Sequence, residues 1–244
     1  MSIASSRTHE GSESAALLAS ARTSGARLSA ALYDVIKTRL MEGHYAAGEK
    51  IVVEAIRQEF GVSKQPIMDA LRRLSSEKLV HIVPQVGCEV VSYSPREVED
   101  FYMLFGGFEG AIAAVAATRR TEAQLLELDL ISSRVDALIT SSDPEVRARG
   151  YRAHNREFHA TIHAMAHSRI MAETSQRMWD LSDFLINTTG ITNPLASALS
   201  ERQHDHREIT EAIRDRDASA ARAAMERHIV GTISVIRDEA GTGH

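Results

Sequence analysis

From Leu28 onward, apolar residues recur at helical intervals. Leu32, Val35, Ile36 and Leu40 fall on one face, and Gly43 supplies a stop. Val53, Ile56 and Phe60 form a second, shorter stripe that ends at Gly61. Ser63 is a candidate N-cap for a third helix, and Pro66 is tolerated in its first turn, where amides have no helical partner. Ile67, Leu71 and Leu74 line one side of that helix, with Ala70 beside them. The runs Val80–Val83 and Glu89–Ser92 then read as two short strands of a hairpin, joined through Pro84-Gln85-Val86-Gly87.

Beyond Ser94-Pro95 the periodicity is helical throughout. Helices are expected at 96–118, 122–140, 144–166, 168–188, 194–215 and 217–238, with Asp143-Pro144 a strong helix start and Asp217 capping the last. Six consecutive amphipathic helices bury their apolar faces most simply as an all-α bundle. Residues 1–27 are rich in serine and have no sustained period, so they are expected to form a flexible tail. The expected fold is mostly α. A winged helix-turn-helix over 28–94 (three helices plus a β-hairpin) precedes an all-helical bundle over 95–238.

Composition narrows the class. The chain has 244 residues, 43% hydrophobic and 25% charged, which excludes wholesale disorder. Cys88 is the single cysteine, so no internal disulfide framework or multi-cysteine metal site is possible. The longest apolar stretch, Gly110–Ala117, falls short of the roughly 20 residues a membrane span needs. The run Ala15–Ala19, preceded by Glu13, is too short for a signal peptide. A soluble, cytoplasmic protein with no membrane partner is expected.

Order decides the chemistry of the first module. In a winged helix-turn-helix, the short second helix packs on the third and leaves the third helix's outer face free for the major groove. That face carries Lys64, Gln65, Met68, Asp69, Arg72 and Arg73, with Ser63 at its start and Gln85 and Gly87 at the hairpin tip. Lysine and arginine hold phosphates or guanine edges, and glutamine pairs with adenine. Candidate DNA contacts are therefore Ser63, Lys64, Gln65, Arg72, Arg73, Gln85 and Gly87. The net charge of −5 does not decide against DNA. Residues 28–95 hold eight basic and eight acidic residues, and the acids cluster in the first two helices. On pattern alone, a three-helix unit with scattered charges remains an equal alternative.

Specific residues break that tie. Phe60-Gly61-Val62-Ser63-Lys64-Gln65-Pro66-Ile67-Met68-Asp69-Ala70-Leu71-Arg72-Arg73-Leu74, followed by Leu79-Val80 and Gly87, resembles the GntR family of bacterial transcriptional regulators. Met41-Glu42-Gly43 and Ala47-Gly48 resemble that family's turn between helices. The resemblance implies binding to a double-stranded DNA operator. Lys64, Met68 and Asp69 depart from the family's usual arginine, arginine and glutamate, and Lys78 replaces a usual glycine, so an unusual operator preference is expected.

The second module stands out for histidine. Seven of the eleven histidines (His154, His159, His163, His167, His204, His206 and His228) lie within 154–228. Asn155, His159, His163 and His167 recur every four residues along one helical stripe, and a bundle can turn His206 and His228 toward them. Imidazole is a common ligand for zinc, nickel, copper and iron. Each histidine taken singly is more often an ordinary surface residue.

Residues 96–236 resemble the FCD effector domain that accompanies such DNA-binding modules in the FadR-type branch of the family. Asn155-Arg156-Glu157-Phe158-His159, His206-Arg207-Glu208-Ile209 with Ala212-Ile213, and Asp217 through His228 carry the likeness. It implies a divalent metal ion (zinc or nickel) held by Asn155, His159, His206 and His228, and a small-molecule effector, an organic acid or other carboxylate. Asn155 stands where aspartate is usual, so the site carries one fewer negative charge and weaker metal binding is expected; Phe105 stands where many members place an arginine, so either another cation or a less acidic ligand is expected.

The expected protein is a homodimer, because a two-fold dimer reads a near-palindromic operator. It is expected to act as a repressor whose operator affinity the effector controls. Two alternatives remain: a metalloenzyme using the histidine cluster, and a DNA-binding protein whose bundle serves only dimerisation. Glu157, the nearest candidate general base, falls on a different helix face from Asn155 and His159.

Overall fold

The first helix, α1 (Gly25–Met41), begins three residues before the apolar stripe, so 25–27 are helical. The computed structural model describes residues 25–83, 87–191, 194–195 and 197–241. The rest of the expected tail, and Gln85, lie outside the described residues. The described chain forms two compact units. One runs through Tyr93 and includes Asp183–Gly190; the other holds Ser94–Ser182 and the residues from Ile191 onward.

In the first unit α1 buries Leu32, Ile36 and Leu40 and packs on α3 (Lys64–Ser76), which buries Ile67, Ala70, Leu71 and Leu74. Helix α2 (Val53–Phe60) buries Ile56 and Phe60. It ends at Gly61, whose left-handed φ of 62° lets its N–H bond the Arg57 carbonyl. The sheet departs from a plain hairpin. Strand β1 (Lys50–Ile51) joins β2 (Val80–Val83) and β3 (Gly87–Val90) in the antiparallel order β1-β3-β2. A two-residue strand has no readable period, and only pairing across to β3 defines it. Strand β3 starts two residues earlier than Glu89–Ser92, because alternation places Cys88 and Val90 in the core. Residues 183–190 join this unit through the Thr188 carbonyl, which accepts from the Ala47 N–H at 3.0 Å, and through Phe184, edge-on to Tyr93.

The second unit holds α4 (Pro95–Arg119), α5 (Glu122–Ile139), α6 (Pro144–Met165), most of α7 (Arg169–Asn187), α8 (Leu199–Arg214) and α9 (Ala218–Gly241). Caps mark their starts. Ser94 with Glu97 and Thr121 with Gln124 form capping boxes, while Asp143 and Asp217 accept from first-turn amides. Helix α8 starts at Leu199, not 194: Leu195 adopts a φ of 67°, which a right-handed helix excludes.

Helix α4 is the centre of the bundle, packed on α9, α6 and α8. Its length and composition would let it cross a membrane, but half of its apolar window is buried inside the bundle, and Glu109 sits in that interior. The α4–α9 crossing depends on glycine. A Cβ on Gly110 would fall 3.0 Å from the Arg222 carbonyl oxygen, and one on Gly106 would fall 2.9 Å from Val230 Cγ2.

Candidate functional site

Three helices bring the central group together. His159 projects from α6, His206 from α8 and His228 from α9, each about 1% exposed. One ligand nitrogen from each lies within 4.8 Å of the others. Aromatic packing fixes the rings: His206 stacks on Phe158 at 4.0 Å and 17°, and His159 lies 4.3 Å from the Trp179 ring. Residues 47 and 22 positions apart in sequence meet only because the bundle folds α8 and α9 back against α6.

Burial keeps these imidazoles neutral. It lowers the pKa of His206 to about 3, with the Arg202 guanidinium adding to the effect. His159 is held well below the ordinary value first by burial, then by His206, His163 and Arg202, and His228 first by burial, then by Arg202, His206 and His159. Neutral imidazole is the ligating form. Both nitrogens of His159 and Nε2 of His206 are buried without a hydrogen-bond partner. Orphaned buried nitrogens cost free energy unless something accepts their lone pairs or protons.

Nitrogen ligands sit about 2.0–2.1 Å from zinc. Two such ligands on a tetrahedral ion are about 3.3 Å apart, so a contraction of at most about 1.5 Å suffices, and the donor set fits a borderline divalent ion such as zinc or nickel. Asn155 is partly buried one turn before His159, and its Oδ1 accepts from the Tyr151 hydroxyl at 3.2 Å.

The surroundings contain groups that sequence reasoning missed. His228 Nδ1 lies 3.0 Å from Asp205 Oδ2, while its Nε2 is 3.2 Å from Arg202 Nη2. Arg202 is itself buried and donates to the His228 carbonyl and the Thr232 hydroxyl. His163 does not join the three histidines; its Nε2 lies 2.9 Å from the buried carboxylate of Glu109, which also accepts from Ser175. Phe105 is fully buried and edge-on to Trp179, so the position where the resemblance suggests an arginine forms part of an aromatic wall. Glu109 left a readable signal, a lone acid within the apolar stretch Phe101–Ala117 of α4. Arg202 and Asp205 left none.

The remaining histidines and acids sit apart. His154 is beside Glu157, which also accepts from Arg134; His204 faces Glu208 at the surface; His167 lies beyond the end of α6, exposed. Glu157 thus points away from the cluster.

The DNA-facing candidates on α3 and at its start do not share one environment. Ser63, Lys64, Gln65 and Arg72 are exposed on α3. Asp69 Oδ1 accepts from both Gln65 (3.0 Å) and Arg72 (2.5 Å), tying them to each other. Arg73 turns the other way and places its guanidinium 3.8 Å over the Tyr33 ring of α1. Gly87 has a φ of 142° and open space where a Cβ would stand. Lys64 also lines a cavity of about 440 Å³ with Lys50, Met68 and Cys88. Burial raises the Cys88 thiol to about 11, which keeps it protonated.

A winged helix-turn-helix followed by a helical bundle with a buried polar centre defines a class: DNA-binding regulators with an effector domain. Family models agree. Residues 28–90 match "Bacterial regulatory proteins, gntR family", and 100–231 match the FCD domain. The chain belongs to the GntR family of transcriptional regulators carrying an FCD effector domain. It is 25% identical to the HTH-type transcriptional repressor GlaR of Escherichia coli over 84% of this chain and 94% of that one. It is also 25% identical to the Uxu operon regulator of Haemophilus influenzae, over 80% and 76% respectively. Among solved structures, E. coli McbR/YncC shares the fold with a TM-score of 0.70 and 17% identity, covering 87% of this chain and 98% of that one. The family and these relatives are transcriptional regulators, not enzymes, which sets aside the metalloenzyme alternative.

Proposed function

We propose that this regulator is a cytoplasmic homodimeric repressor whose hold on its operator is set by a carboxylate effector in a metal-containing bundle. The observation that carries the reading is the buried, neutral trio His159, His206 and His228, in which both nitrogens of His159 and Nε2 of His206 have no hydrogen-bond partner. Asn155, one turn before His159, is the proposed fourth ligand through its amide oxygen. A divalent ion held by these residues would supply Lewis acidity toward a carboxylate oxygen. The chain's own residues do the rest. Asp205 holds His228 through Nδ1, Phe158 and Trp179 fix the planes of His206 and His159, and the Phe101–Phe105–Trp179 aromatic wall excludes water. The repressor sign is supported by the GlaR relative's name.

On the DNA side, Ser63, Lys64, Gln65, Arg72, Arg73, Gln85 and Gly87 are the proposed contacts. Lys64 and Arg72 neutralise phosphates or meet guanine, Gln65 reads a base edge, and Arg73 contributes charge while clamped to Tyr33. An effector shifts operator affinity only by as much as its affinities for the two protein states differ, about 1–3 kcal/mol of coupling.

The test is a mobility-shift titration of the purified protein on its own upstream DNA, with and without a panel of carboxylates, alongside elemental analysis. Salt-sensitive binding is expected, with release by at least one carboxylate. His159→Ala combined with His228→Ala is expected to remove the metal and the effector response. Metal content unchanged in that variant refutes the ligand set.

A further inference from the structure

Charge balance around the three histidines points beyond them. The imidazoles and Asn155 are neutral, and Arg202 adds a positive charge beside His228. A divalent ion removed from water needs anionic compensation close by. Two carboxylates lie beside imidazole nitrogens. Asp205 Oδ2 is 3.0 Å from His228 Nδ1, and Glu109 Oε2 is 3.8 Å from His159 Nδ1. Glu109 is completely buried on α4, where a carboxylate is costly unless it answers other charge or donors. Its donors are His163 at 2.9 Å and Ser175.

We infer that Glu109 is an outer carboxylate of the metal site, supplying from behind His159 the negative charge that Asn155 does not. Asp205 plays the same part behind His228. Such a carboxylate accepts the Nδ1–H, turns the Nε2 lone pair toward the ion and strengthens the ligand; its loss typically weakens metal binding about 10–100-fold. The gap of 3.8 Å is about an ångström beyond a hydrogen bond. Glu109 is a positioning residue, acting through His159. The inference rests on the metal reading above.

The experiment measures zinc affinity of the full-length chain by competition with a chromophoric chelator. Glu109→Gln keeps the side chain's size and is expected to weaken zinc about 10-fold or more. Ser175→Ala removes a donor to Glu109 without removing charge and is expected to stay within about twofold of the parent. Adding Asn155→Asp to Glu109→Gln is expected to restore most of the loss. Parental affinity in Glu109→Gln overturns the inference. Should that variant not fold, Glu109→Asp decides: it keeps the charge but draws the carboxylate back from His159, so weaker zinc binding supports the inference and parental affinity overturns it. A parent chain that binds no zinc, or a His206→Ala variant that binds it with parental affinity, overturns the metal reading itself.

Discussion

The Trp179 indole lies 4.3 Å from the His159 imidazole, its plane tilted by 43°, and Trp179 is the chain's only tryptophan. Intrinsic fluorescence therefore reports on the proposed metal site from within. Nickel, a paramagnetic ion, is expected to quench Trp179 emission saturably, and His159→Ala to abolish the saturable phase. Quenching that survives in that variant places the nickel elsewhere.

Acid sensitivity follows from burial. Three imidazoles stay neutral in the fold with depressed pKa values, while in the unfolded chain they protonate near pH 6.5. Their contribution is fully present above pH 6.5. It is lost as pH falls below that value toward the folded pKa, which for His206 is about 3. Each group costs up to about 1.4 kcal/mol per pH unit in that window. Urea midpoints measured with chelator present should drop between pH 7 and 5. The drop should be shallower in His206→Gln; equal slopes in the two proteins count against buried neutral His206.

Asp69 holds two candidate DNA contacts with one oxygen. Asp69→Ala removes a negative charge from the groove face and releases Gln65 and Arg72. DNA affinity should rise, with the salt slope steeper by about one. Arg72→Ala should weaken binding and reduce the slope by about one. Fluorescence anisotropy across a salt series reads both, and a flat response to both variants would remove α3 from the interface.

Two neighbouring glycines of α4 should behave oppositely. Gly110→Ala forces a Cβ against the Arg222 carbonyl of α9, an overpacking that typically costs about 1–3 kcal/mol and outweighs the gain in helix propensity. At Gly107 a Cβ meets nothing within 4 Å, so Gly107→Ala should stabilise by up to about 1 kcal/mol. Denaturant unfolding of the two variants should shift in opposite directions; a stabilised Gly110→Ala would mean that the helices do not cross this closely.

Local patterns were enough for much of the architecture. Periodic apolar stripes, caps at Thr121, Asp143 and Asp217, and the turn at Gly61 act within a few residues, so α1–α7 and α9 could be read from the chain to within a few positions. The start of α8 was less legible, because the backbone at Leu195 breaks an otherwise helical pattern. Strand β1 was invisible, because two residues form a strand only when β3 lies beside them. The histidine surplus and the order of modules also came from the chain alone. Tertiary structure decided which histidines matter. His163 shares the stripe of His159, yet Glu109 and Ser175 claim it, while His206 and His228 arrive from other helices. Glu109 and Trp179 reach the trio from other helices, and Arg202 and Asp205, on the helix of His206, meet His228 across 26 and 23 positions. Burial, orphaned nitrogens and charge balance are properties of packed neighbours, and a linear pattern does not contain them.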